Sequence, residues 1–132
     1  MHTWLRISCL AAALLSFSCR ELPDNPMKPG AYYSVIHDEY SFTVAKVIAM
    51  DDKGFFVQFY TNTYDVRPAS INEAELTLHS LRGKSHLRFR AMPRREFYAL
   101  VPIYIQDGRL SDEELLFFSR WKRYTGGRWE HE

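Results

Sequence analysis

From Tyr32 to Tyr60 the chain reads YYSVIHDEYSFTVAKVIAMDDKGFFVQFY, three β-type runs broken by two acidic turns, His37-Asp38-Glu39 and Asp51-Asp52-Lys53-Gly54. β-Branched and aromatic side chains dominate each run, and such residues suit a pleated, half-buried surface. In the first run Tyr33 and Val35 share one face, with Tyr32, Ser34 and Ile36 on the other. In the second, Phe42 and Val44 alternate with Ser41 and Thr43 until Lys46 falls where the next apolar residue should stand. From Ala45 the apolar set becomes Ala45, Val47 and Ala49, opposite Ile48 and Met50. A one-residue slip of this kind predicts a β-bulge or sharp bend. The third run, Phe55 to Tyr60, sets Phe55, Val57 and Phe59 against Phe56, Gln58 and Tyr60. Gly54 is expected to close its turn at positive φ.

Beyond the meander the signals change. Thr61 to Glu73 (TNTYDVRPASINE) reads as a connection, with Arg67 pushed toward extended geometry by Pro68. A loop of this length in a small barrel is a place for partners, which makes Tyr64 and Arg67 candidates; it also reads as a plain crossover. Glu75 to Leu81 alternates and predicts a strand with one wet face, and Phe97 to Ile105 predicts an edge strand or two short pieces around Pro102. One helix is predicted at 111–124. Ser111 and Glu114 form a capping box, Asp112 to Glu114 favour the positive end of the dipole, and Gly126-Gly127 stops it. Leu115, Phe118 and Trp121 give it an apolar face, expected to cover the sheet. Residues 126–132 form the tail, of which Arg128 to Glu132 is expected to fray.

The first 18 residues, MHTWLRISCLAAALLSFS, alter the picture of where this domain works. Arg6 precedes an apolar run from Ile7 to Phe17, too short to span a bilayer but suited to the core of a signal peptide. Ser16 and Ser18 stand at −3 and −1 from Cys19, as cleavage requires. Cys9 leaves with this leader, so Cys19 is the one mature cysteine and has no disulfide partner. Leu15, Ser18 and Cys19 resemble the lipobox of bacterial lipoproteins, with leucine one position early and bulky Phe17 at −2. The resemblance implies acylation of Cys19; ordinary release into the periplasm is the other outcome. Residues 19–30 are rich in proline and form an extended tether.

Composition bounds the rest. The 132 residues are 46% hydrophobic and 15% aromatic, enough for one small domain over 31–125 to bury a core with large rings. The chain has 17 basic and 16 acidic residues, and the leader removes only Arg6, so the mature protein is neutral. Neutrality argues against a general nucleic-acid or membrane-surface binder.

The charge is uneven, however. Between Leu76 and Arg95 there is no acid, yet Arg82, Lys84, Arg88, Arg90, Arg94 and Arg95 all fall there. Strand alternation predicts that Arg88 and Arg90 point the same way, with Leu87 and Phe89 inward. Guanidinium forks suit carboxylate and phosphate, so these six residues are candidates for an anionic or acidic partner. The same stretch also reads as a solvated face balanced by the acidic turns. His37-Asp38-Glu39 sits in a turn and His79 with His86 lacks a third ligand, so no metal site is expected. No G-x-S-x-G context, phosphate loop or dinucleotide fingerprint occurs, and neither catalysis nor a cofactor is expected.

Tyr32 to Val35, Lys46-Val47-Ile48 before Asp51, Arg67-Pro68 and Glu113 to Leu115 with Trp121 together resemble small bacterial exported proteins with an SH3-like or Tudor-like β-barrel. The resemblance implies a mainly β fold, a small and strongly bent barrel or meander with one C-terminal helix, and carries no activity with it. The sequence thus points to an exported envelope protein, a lipid-anchored binding or adaptor module. The alternative is a periplasmic inhibitor or immunity-type protein that neutralises an enzyme. The partner is an unidentified protein or an anionic envelope component, not nucleic acid.

Overall fold

The meander forms where the alternation places it: β1 (Tyr32–Asp38), β2 (Ser41–Met50) and β3 (Gly54–Tyr64) pair in antiparallel succession. The computed structural model describes residues 27–82 and 85–129. The leader, Cys19, the tether up to residue 26 and Lys84 lie outside the described residues. After β3 come a single 3-10 turn (Glu73–Glu75), a short helix α1 (Ser85–Arg88), β4 (Phe89–Pro93), helix α2 (Arg94–Ala99), β5 (Ile103–Gln106) and helix α3 (Asp112–Thr125). The sheet order is β4-β3-β2-β1-β5, antiparallel throughout.

The protein is mainly β, but the sheet is open. Its edge strands β4 and β5 do not meet, so the expected barrel is not closed. The reason lies in the two faces. Tyr33, Val35, Ala45, Val47, Phe55, Val57 and Met92 form a core on one face with Phe97 of α2. Ile48, Phe56, Phe89 and Ala91 form another, against Phe117, Phe118 and Trp121 of α3 and against Trp129. A small barrel fills its interior with one face of the sheet. Here both faces are apolar and each has its own helical cover, so closure would strand one of them in water.

Helix α3 begins at the Ser111 capping box and ends at Gly126, which adopts φ 72°. It is not alone, because part of the expected 97–105 strand is helical. Residues 94–99 wind so that Phe97 reaches Phe55, with ring centroids 4.9 Å apart. The expected 75–81 strand is also absent. There the chain makes one bridge, Leu78 to Tyr60, and otherwise leans on a side chain. Asn62 accepts from Thr77 N (2.7 Å) and donates to Glu75 O (3.0 Å). The residues expected to fray contain a buried anchor. Trp129 is 4% exposed, packs on Trp121 at 4.6 Å and donates its indole N–H to Asp51 Oδ2 at 3.2 Å.

Candidate functional site

Lys46 stays in phase with Val44 on the α3 side of the sheet, and this is where the chain buries its charge. Its Nζ donates to Glu114 Oε1 at 2.9 Å and also to the Arg109 carbonyl. Glu114 Oε2 accepts from Gln58 Nε2 at 2.6 Å, and the Gln58 amide oxygen accepts from Arg88 Nε at 3.0 Å. Tyr60 OH accepts from the same Gln58 nitrogen at 3.0 Å; burial, with Tyr32 and Glu114 nearby, pushes the phenol well above its ordinary range. Lys46, Gln58, Arg88 and Glu114 are all at most 7% exposed. Every buried side-chain polar atom among the described residues has a partner. This network ties α3 and α1 to the sheet, and its polar capacity is used up internally.

A solvent-open groove of about 500 Å³ lies at one end of the sheet. Four local events leave it open. β4 pairs with β3 only as far as Gln58, and β5 pairs with β1 only as far as Ser34. The β2–β3 register shifts between Thr43 and Ala45, and Thr43 Oγ1 lies against the freed carbonyls of Tyr60 (3.0 Å) and Asn62 (2.7 Å). Helix α2 stops at Ala99, and the Leu100 carbonyl then takes the Ile36 N–H at 2.9 Å. Ile36, Phe59, Leu87 and Leu100 supply apolar lining, while His37, His79, His86 and Arg90 supply polar heads. Arg90 stands opposite Val57, on the face that α2 covers, and is exposed.

The predicted basic residues disperse. Arg88 ends α1 and is buried, bonded to buried Gln58 and to the exposed Glu113, so it shares no exposed face with Arg90. Arg94 lies over Phe55 (5.1 Å to the ring centre) and donates to the Asp51 carbonyl at 3.0 Å. Arg82 and Arg95 are exposed but line none of the main hollows among the described residues. Arg67 donates to Ser34 O and Oγ at 2.9 and 3.0 Å and covers the Phe42 ring; burial lowers its guanidinium from the ordinary range. Tyr64 pairs with Phe42 and packs, half-buried, against the Tyr32–Val44–Tyr60 cluster. Of the seven candidates among the described residues, Arg90 lines the groove.

The three histidines beside it were not legible as a group, because His37, His79 and His86 come from a strand end, a loop and a helical turn. Among the described residues no group of three or more His, Cys, Asp or Glu is placed to hold a metal ion. None of the described helices is long and apolar enough to cross a membrane. No family model matches the chain, and comparison with curated proteins and with solved structures gives no match either.

Proposed function

We propose that this protein is a non-catalytic binding module of the bacterial cell envelope, held at a membrane by a lipid on Cys19 and taking its partner in the groove beside Arg90. The observation that carries the reading is the groove itself. It offers apolar side chains and a free-standing guanidinium at one place, whereas the other concentrated polar cluster, around Lys46 and Glu114, is sealed and satisfied. The leader, the lone mature cysteine and the proline-rich tether support the envelope location.

Two experiments test the two halves. Labelled palmitate should enter the wild-type protein and not Cys19→Ser; absence of label in the wild type removes the anchor. For the groove, wild type and Leu87→Asp/Arg90→Glu are used to capture partners from envelope extract. Both substituted side chains are exposed, so the melting curve should change little. A stoichiometric partner held by the wild type and lost by the variant supports the reading, and a partner held equally by both overturns it.

A further inference from the structure

The binding reading above leaves the ligand open, and the groove's chemistry narrows it. We propose that the groove binds a small amphiphilic carboxylate, its carboxylate on Arg90 and its apolar body along Phe59, Leu87, Leu100 and Ile36. This inference rests on that reading and goes further by naming the ligand class.

Size is the first argument. A hollow of about 500 Å³ falls within the range of small-molecule sites. A folded protein partner needs a broad face of roughly 800 Å² instead. Charge is the second. Among the described residues the lining holds Arg90 and three imidazoles and no aspartate or glutamate. Arg90 enters no ion pair among the described residues. Asp38, next along the chain to the groove residue His37, accepts at its Oδ1 from Tyr40 N (2.8 Å) and Ser41 Oγ (2.9 Å). Those bonds and His37 hold its carboxyl below the ordinary range. A planar fork beside apolar walls suits one carboxylate on a chain; a phosphate dianion calls for a denser set of cations.

Backbone geometry supplies the third argument. Val101, directly after the groove residue Leu100, has φ 50°, a left-handed conformation that β-branched residues rarely take. Strain of this kind concentrates at ligand clamps. Here it turns the chain sharply out of α2 and leaves the Leu100 carbonyl on Ile36, which fixes one wall of the groove.

The test uses the full chain carrying Cys19→Ser, which keeps every described residue and needs no detergent. Decanoate and decanol, both below micelle formation, are titrated calorimetrically into this protein and into its Arg90→Gln form. Decanoate is expected to bind, with decanol at least about tenfold weaker, as loss of one charge-assisted hydrogen bond implies. Arg90→Gln should weaken decanoate about tenfold and leave decanol unchanged. Absence of decanoate binding, or equal binding of decanoate to both proteins, overturns the inference. A groove-dependent envelope partner without decanoate binding would end this inference and leave the binding module standing. Decanoate binding with a partner indifferent to the groove variant would do the reverse.

Discussion

Val101 follows the C-cap of α2 at a position where glycine is usual, and it also precedes Pro102. An L-residue in that region costs about 1–2 kcal/mol. Val101→Gly is therefore expected to raise stability by about 1 kcal/mol in urea melts, after allowance for glycine's greater unfolded freedom. A fall would mean that the half-exposed valine side chain outweighs its backbone.

Lys46 is the other telling residue. In the sequence it interrupts an apolar alternation and reads as a slip of phase. In the structure it keeps its phase, and the β2–β3 register shifts on either side of it, between Thr43 and Ala45 and between Val47 and Ala49. Its partner Glu114 lies 68 residues away, beyond the reach of any local pattern. Removing one member of a buried pair costs about 3–5 kcal/mol, because the other is left charged and dry. Lys46→Met should cost that much, and Lys46→Met/Glu114→Gln should cost less than the two single changes together. Additivity within about 0.5 kcal/mol would mean that the two residues act separately.

Among the elements, α3 was the most legible. Ser111 Oγ accepts from Glu114 N at 3.1 Å, and Glu114 Oε1 accepts from Ser111 N at 2.8 Å, as the spacing predicts. The same carboxylate also holds Lys46, which the capping pattern does not announce. The meander was legible too, except for the reason behind Gly54. Its φ is not positive; a Cβ there would lie 2.5 Å from both the Met92 carbonyl and the Trp129 ring. Close approach requires the glycine, and Trp129 lies 75 residues farther on. Residues 75–81 and the start of 97–105 misled because alternation and apolar runs describe a surface, not a partner, while Ile103–Gln106 is an edge strand as expected. The first makes one bridge to the β3 edge, Leu78 to Tyr60, and the start of the second is helical, with Phe97 against Phe55.

The turn between β2 and β3 makes a prediction of its own. Burial would raise the Asp51 carboxyl, but the N–H groups of Lys53 and Gly54 and the Trp129 indole together hold it below its ordinary value. A carboxyl lowered in the folded state stabilises above its unfolded pKa, and the gain fades as pH falls through the folded value. The stability gap between wild type and Asp51→Asn should therefore be full at neutral pH and shrink below about pH 4. A gap that stays constant down to about pH 2 in urea melts would assign it to shape rather than charge.

At the scale of the whole molecule, one sheet carries a helical cover on each face and a third apolar cluster around Tyr32, Val44 and Tyr60. α2 packs on one face, α3 with Trp129 on the other, and the buried Lys46–Glu114–Gln58–Arg88 chain fastens the second cover. The groove is what remains where β4, β5 and α2 all stop short of the sheet's end. Composition and charge showed an uneven basic stretch, but not that Arg88 and Arg94 would be spent internally, that Arg82 and Arg95 would stand away from the hollows, or that Arg90 would reach the groove. That division depends on which strand partners end where, and the sequence alone does not carry it.

The central claim is that binding happens in this groove, and crosslinking on the full chain tests it most directly. A photoreactive residue is placed at Leu87, 40% exposed in the groove wall, or at Leu116, 47% exposed on α3. Illumination of intact cells should give a discrete crosslinked product from position 87 and none from 116. A product from 116 alone, or equal products from both, would contradict the assignment of the groove.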